Sequence, residues 1–375
     1  MRIAFEAKRF FTNRTGLGNY ARSTVHNLRR LDSSLECILY TPRIEGPFAS
    51  FAESMGCQAC VPHGLDATMN GSFWRTFGLG RVAARDQADL FHGLSHELPL
   101  DIGRFPGPSV VTVHDLIFLR RPDDYPWLDR TMYRLKYVGS AKRADRIVAV
   151  SRKTADDLVE LLGIPEDRIS VVHQSCKAEF MIPPSLEARR AIRDSLKIPE
   201  SYALFVGSLT RRKNPLVLVD ALALMPSSIR PCLILVGSGP LASEIRTRVS
   251  ARRLEKNVFL LKNVEDDQLP ALYAGASVFV YPSFYEGFGI PILEALWSRV
   301  PVVAATGSCL KEAGGPGSIY VSPDSAEEMA AALKRVLTDS ELAANMVRAG
   351  LEHAATFTPE ASARNLMEVY RGLLS

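Results

Sequence analysis

Twelve short apolar, β-branched runs alternate with helix-patterned stretches along this 375-residue chain. In the first half the runs are "RIAFEA", "CILYTP", "ADLFHGL", "SVVTVHDL", "DRIVAVS" and "ISVVHQ". In the second half they are "YALFVGSL", "CLILVGSG", "VFLLKN", "SVFVYPS", "VPVVAAT" and "SIYVS". Between them, stretches such as "YARSTVHNLRRL", "SRKTADDLVELL" and "SAEEMAAALKRVL" carry apolar residues at helical spacing. Strands that read as near-continuous apolar runs are buried on both faces, and crossover helices supply the cover. The alternation therefore predicts an α/β chain of two doubly wound, Rossmann-like domains with parallel sheets. Pro183 and Pro184 in "FMIPPSLEARR" break the pattern, which predicts one domain over 1–182 and a second over 183–358. The stretch 359–375 reads as a helix expected to cross back to the first domain. Ligands of such sheets sit beyond the carboxyl ends of the strands, so a ligand held by both domains is expected in a cleft between them.

Composition narrows the function classes. No apolar run approaches the ~20 residues of a bilayer span, and no apolar leader follows a basic start. The expectation is a cytoplasmic protein, with at most peripheral contact at the inner face of the membrane. The net charge of +4 lies wholly in residues 1–200, with 28 Lys/Arg against 24 Asp/Glu; the remainder balances at 17 against 17. So small an excess argues against a nucleic-acid partner. Cys57 and Cys60 form a C-x-x-C pair, but no second pair follows at zinc-site spacing. Reduced, partly buried thiols are expected rather than a metal site.

Several turns after strands carry chemistry-bearing residues. "TGLGNYA" places Gly16, Gly18 and Ala21 in a G-x-G-x-x-A pattern after the first strand. A dinucleotide site would want an acid ending the second strand, and that strand ends "YTPR". The glycines still permit backbone approach to a phosphate or sugar, and a ligand-free tight turn fits them as well. "VTVHDL" puts His114 at a strand end, where it faces a ligand or is satisfied by a neighbouring loop. "VGSLTRRKN" delivers Arg211, Arg212 and Lys213 just past Gly207. Three cations there suit a diphosphate, or form a solvated basic turn. "LVGSGPL", with Gly237 and Gly239, reads as turn chemistry. In "YEGFGIPILEAL", Glu286 follows a strand, Gly287 and Gly289 precede a helix, Pro291 suits its first turn, and Glu294 lies about one turn further in. Glycines before a helix let its free N–H groups reach an anion, and carboxylates on either side accept bonds from hydroxyls. A nucleotide sugar offers both features.

The ordered set "TGLGNY", "DLFHGLSHELP", "VHDL", "RADRIVAVS", "VGSLTRRKN", "LVGSGP" and "YEGFGIPILEA" spans the chain and resembles the retaining glycosyltransferases of GT-B fold, family 4. The resemblance implies a nucleotide-sugar donor and a glycan or lipid-linked glycan acceptor. It implies roles residue by residue. Glu286 would bond the donor sugar's hydroxyls, and Glu294 the ribose. Gly287 lies in the same turn, where the backbone of Phe288 and Gly289 would meet the diphosphate. Lys213 and a neighbouring arginine would clamp that diphosphate after Gly207. His114, Gly16 and Gly18 would lie beside the transferred sugar. Two departures stand out: Ser208 replaces an arginine found in many relatives, which leaves Arg211 and Arg212 as alternatives, and "HQSCKAEF" replaces "NGVD". The resemblance also implies retention without an enzyme nucleophile. No D-x-D occurs in the chain, in keeping with no cofactor and no metal. A GT-B-like nucleotide-sugar isomerase and a catalytically silent sugar-binding homologue stay open as alternatives. The clamp and "VHDL" look most like bacterial mannosyltransferases, so GDP-mannose is the first expected donor and a UDP-sugar the second.

Two first-half segments mix basic and aromatic residues: "GSFWRTFGLGRVAARD" and "YPWLDRTMYRLKYVGSAKR". They are read as an acceptor or membrane surface, against a core role for their aromatics.

Overall fold

The computed structural model describes residues 1–44, 46, 48–63 and 70–375. The chain divides into two compact units, Met1–Gln174 with Pro359–Ser375, and Ser175–Thr358. Each is built on a wholly parallel sheet.

Among the described residues the first sheet has seven strands: β1 (Arg2–Glu6), β2 (Glu36–Tyr40), β3 (Gln58–Cys60), β4 (Leu90–Gly93), β5 (Ser109–Val113), β6 (Arg146–Ala149) and β7 (Ile169–Val171). Their order is β3-β2-β1-β4-β5-β6-β7. The second has six: β8 (Tyr202–Val206), β9 (Cys232–Val236), β10 (Val258–Leu261), β11 (Val278–Tyr281), β12 (Val302–Ala305) and β13 (Ile319–Val321), in the order β10-β9-β8-β11-β12-β13. Both orders reverse direction at the founding strand, so each sheet has a topological switch point, at β1/β4 and at β8/β11. The central strands are buried on both faces, as continuous apolar runs require: Ile3, Ala4 and Phe5, like Ala203, Leu204 and Phe205, have no exposed surface.

Every run named from the sequence forms a strand. Among the described residues the one strand missed is β3, three residues of "CQAC" paired with β2 at the sheet edge. The C-x-x-C pair thus brackets an edge strand, and among the described residues no group of His, Cys, Asp and Glu is placed to hold a metal ion. Helix ends follow local chemistry. Ser151 Oγ accepts from Thr154 N at 3.0 Å to start Arg152–Leu162, and Gly163, at φ 63°, ends it.

The division falls after Gln174 rather than after Ile182. Residues 175–182 are tied into the second unit: Lys177 pairs with Asp266 at 2.6 Å, and the Phe180 ring stands edge-on to Tyr273. The helix Pro359–Leu374 packs in the first unit. Its Ala363, Leu366, Met367 and Tyr370 join a core with Ile3, Phe5 and Val25, and the Tyr370 hydroxyl lies 2.6 Å from His92 Nδ1. No helix among the described residues is long and apolar enough to cross a membrane.

Candidate active site

In the second unit the turn after β8 is shaped by glycine. A Cβ on Gly237, at φ 138°, would lie 2.0 Å from the Gly207 carbonyl oxygen, so the turns after β8 and β9 meet only because that atom is missing. The chain then runs through Arg211, Arg212 and Lys213 to Asn214, whose side chain donates to the Pro323 carbonyl at 2.7 Å and which precedes the helix Pro215–Leu224. This path carries Lys213 over the end of β11. Its Nζ donates to the Tyr281 hydroxyl and lies 4.8 Å from that ring's centre. Arg212 Nη1 donates to the Tyr285 carbonyl at 2.7 Å.

Both cations converge on Glu286. Arg212 Nη1 and Lys213 Nζ each lie 2.7 Å from Glu286 Oε1. Arg211 is exposed, so it is Arg212 that pairs with the carboxylate. Burial opposes ionisation of Glu286, but Lys213 and then Arg212 outweigh it and hold its carboxyl below the usual range. Burial also pulls the Lys213 ammonium below its ordinary value, with Glu286 opposing. Two cations against one carboxylate leave the cluster with a surplus positive charge. Ser308 Oγ accepts from the Glu286 N–H at 2.8 Å and lies 2.9 Å from its carbonyl. Cys309 Sγ lies 3.1 Å from the carbonyls of Glu286 and Phe288. The turn holding Gly287 is therefore fixed on both sides. Gly289, at φ 110°, caps the helix Ile290–Trp297, with Pro291 in its first turn. The free N–H groups of that helix, an Arg fork and a Lys point charge together suit a diphosphate.

Glu294 lies one turn into the same helix and accepts from the Tyr273 hydroxyl at 2.8 Å. Burial pushes its carboxyl up to about 7, against the pull of Tyr273 and Lys177. It is therefore poised between neutral and charged forms at physiological pH.

In the first unit, His114 follows β5 and is buried. Its Nε2 lies 2.9 Å from the Leu94 carbonyl, which can only accept, so Nε2 carries the proton and Nδ1 accepts from Gln174 Nε2 at 3.1 Å. Burial holds the ring neutral, its pKa down at about 3. Both nitrogens are used, and a sugar hydroxyl reaches Nδ1 only by displacing Gln174. The two first-turn glycines differ. A Cβ on Gly18 would lie 1.8 Å from the Asn13 carbonyl oxygen, which makes that glycine structural, whereas nothing lies within 4 Å of one on Gly16. Gly16 is the position open to a ligand.

The family described as Glycosyl transferases group 1 matches residues 188–353, and Glycosyltransferase Family 4 matches residues 14–179. O-antigen chain mannosyltransferase B of Escherichia coli is 31% identical over 294 residues, 77% of this chain and 76% of that protein. The chain belongs to the family 4 glycosyltransferases. Serotype-specific mannosyltransferase WbdA of Escherichia coli is 26% identical over 76% of this chain, which spans 36% of that longer protein. The solved structure of Anabaena Alr3699/HepE in complex with UDP-glucose matches with a TM-score of 0.78 at 19% identity, over 100% of both chains. The fold is GT-B.

Sequence reasoning missed several groups in this glycosyltransferase. Tyr281 read only as part of the strand run "SVFVYPS" and Tyr273 was not singled out, yet their hydroxyls hold Lys213 and Glu294. Ser308 and Cys309 follow β12 in "TGSCL". A small polar pair after a strand was the available signal. The two basic-aromatic segments also divide. Trp74 and Arg75 are buried, and Tyr133 and Tyr137 stack at 5.1 Å and pack against the core. Phe73, Phe77, Trp127, Leu128, Met132 and Leu135 are exposed instead.

Proposed function

We propose that this glycosyltransferase moves a hexose from a nucleotide-sugar donor to a hydroxyl of a glycan or lipid-linked glycan, in surface polysaccharide synthesis, with retention of anomeric configuration. The observation that carries the reading is the convergence of Arg212 and Lys213 on Glu286, beside the N-terminus of Ile290–Trp297. The departing diphosphate develops charge, and preorganised cations stabilise that charge as it forms. Arg212 and Lys213 take the place that a divalent cation fills elsewhere, so the reaction proceeds without metal. Glu286 orients the donor sugar, Glu294 the ribose, and His114 with Gly16 borders the transferred sugar. The leaving diphosphate accepts the proton of the attacking hydroxyl, and no side chain acts as nucleophile. The names of the Escherichia coli relatives favour mannose, hence GDP-mannose first and a UDP-sugar second. The work would be done at the cytoplasmic face of the membrane, with at most peripheral attachment.

Incubation with GDP-mannose, UDP-glucose and ADP-glucose, each with and without acceptor glycan, tests this. Nucleoside diphosphate release with one base is expected. Interconversion of the donor without release would favour the isomerase reading, and no turnover of any donor would favour a silent sugar-binding homologue.

A further inference from the structure

The fold pairs Cys57 with a different cysteine from the one its C-x-x-C spacing suggests. Strands β2 and β3 run parallel, with Ile38 beside Gln58, Leu39 beside Ala59 and Tyr40 beside Cys60. One step back along the same register sets Cys37 beside Cys57. Side chains alternate between faces along a strand, so residues 57 and 60, three apart, point to opposite sides of the sheet. The cores agree. Cys37 and Cys57 lie together with Leu35, Leu39 and Ala52, whereas Cys60 packs against the core that holds Tyr40 and Trp74. Neighbouring strands stand about 4.8 Å apart, within the roughly 4.4–6.8 Å between the Cα atoms of a disulfide. The side chains already touch: the Cys37 S–H donates to the Cys57 sulfur.

Arg29, on the helix Gly16–Leu31, braces the pair. Its Nε donates to the Met55 carbonyl at 3.0 Å and its Nη1 to the Leu35 carbonyl, each two residues before one of the cysteines. A Cβ on Gly56, at φ 66°, would lie 3.2 Å from Arg29 Nη2, so the guanidinium runs beside the residue that precedes Cys57. The two thiols are therefore unlike. The hydrogen bond keeps the proton on Cys37, whose thiol burial raises further. The same bond pulls the Cys57 thiol down; burial opposes that fall and Arg29 adds to it. Cys57 is 7% exposed and Cys37 2%. The thiol nearer to water is thus also the readier thiolate, and the thiolate is the nucleophile. So small an opening admits a small oxidant rather than a second protein.

We propose that Cys37 and Cys57 form a reversible oxidation site, a dithiol that a peroxide closes to a disulfide. The Cys57 thiolate attacks one peroxide oxygen. The S–O bond forms, the O–O bond breaks, and the departing hydroxide takes up the proton that Cys57 released. Sulfur is oxidised and the peroxide is reduced, which leaves a sulfenic acid and water. Cys37 then attacks the Cys57 sulfur. The S–S bond forms, the S–O bond breaks, and hydroxide leaves with the Cys37 proton as a second water. Reduction by a dithiol reverses the closure. The bond staples the edge strand β3 to β2. The site does not depend on the transfer reading above.

Peptide mapping of the full chain tests this. All six cysteines begin as free thiols. The reduced, folded protein is treated with hydrogen peroxide, its remaining thiols are blocked with iodoacetamide, and the digest is read by mass spectrometry. Two of the six thiols should be lost to alkylation, in a peptide linking Cys37 to Cys57, and dithiothreitol should restore both. Cys37→Ser should leave a sulfenic acid at Cys57 that dimedone captures, and Cys57→Ser should give neither link nor adduct at Cys37. Cys60→Ser should form the link as the wild type does. The wild-type map alone decides the matter if a serine variant does not fold. The site is overturned if all six thiols remain alkylatable, if Cys57 links to Cys60 or to a second chain, or if the link appears only in denaturant. A dimedone adduct on Cys37 instead of Cys57 would overturn the assigned order of attack.

Discussion

In the second unit one carboxylate faces two cations; in the first, one guanidinium faces two carboxylates. Both clusters sit at the switch point of a parallel sheet with the same opening strand order. The backbone thus dictates where a polar cluster gathers, and a few side chains decide its sign. The surplus cation at β8/β11 suits a diphosphate, whereas at β1/β4 the two carboxylates, of Glu6 and Glu97, are held by the single guanidinium of Arg75 between them.

The most direct way to break this comparison is to remove the surplus cation. Lys213→Ala should lower turnover by at least ~100-fold, as for loss of one leaving-group stabiliser, and EDTA should leave the wild type unchanged. Inhibition by EDTA that magnesium reverses would overturn the metal-free reading.

Glu286 sharpens the contrast. In the free protein it competes with a diphosphate for Arg212 and Lys213. Glu286→Ala should cut transfer by about tenfold or more, the scale of a charged hydrogen bond, while free nucleoside diphosphate binds as well or better. Weaker binding by titration calorimetry would contradict that competition.

Glu294 gives a smaller, pH-dependent effect. Tyr273, Lys177, Asp266 and the thiol of Cys176 are the ionisable groups that act with it. Because its folded pKa of about 7 lies above the ordinary 4.5, ionising it costs folded stability, and that cost grows as pH rises from 4.5 to 7. Glu294→Gln should therefore raise the melting temperature at pH 8 and not at pH 5. Nucleoside diphosphate affinity should climb through pH 7 in the wild type by a few-fold. That step should vanish in the variant, where only the phosphate's own ionisation near 6 remains. A wild-type profile identical to that of Glu294→Gln would remove Glu294 from the ribose.

The weakest expected effect is at the surface. Trp127, Leu128 and Leu135 are exposed beside basic residues, so co-sedimentation with anionic vesicles is expected at low salt, where screening is least. Trp127→Ser with Leu128→Ser should reduce it. No sedimentation of the wild type would point to a soluble acceptor.

The strand runs were legible because burial on both faces leaves an apolar signature that needs no knowledge of neighbours. β3 escaped because a three-residue edge strand carries too little of that signature. Glu286, Lys213 and Glu294 were legible from turns and helix starts, which are local. The cluster of Glu6, Arg75 and Glu97 was not, because its members lie 69 and 22 positions apart and meet only through the fold. Arg75 even read as a surface cation, since nothing in "GSFWRTF" shows that two distant carboxylates will bury it. His114 was legible as a strand-end group, but not that Gln174 would occupy it.

The helix Pro359–Leu374 closes the core around Phe5 and Val25, so the first unit is assembled from both ends of the sequence. On the ribosome its sheet emerges first and must wait while the 184 residues from Ser175 to Thr358 are made. At 5–20 residues per second that wait is roughly 10–40 s. At its end the second unit has every residue it needs, while the first still shows bare apolar surface where Leu366, Met367 and Tyr370 will dock. The order of folding is then the reverse of the order of synthesis. A nascent chain stalled at Thr358 should yield to protease in residues 1–174 while Ser175–Thr358 resists.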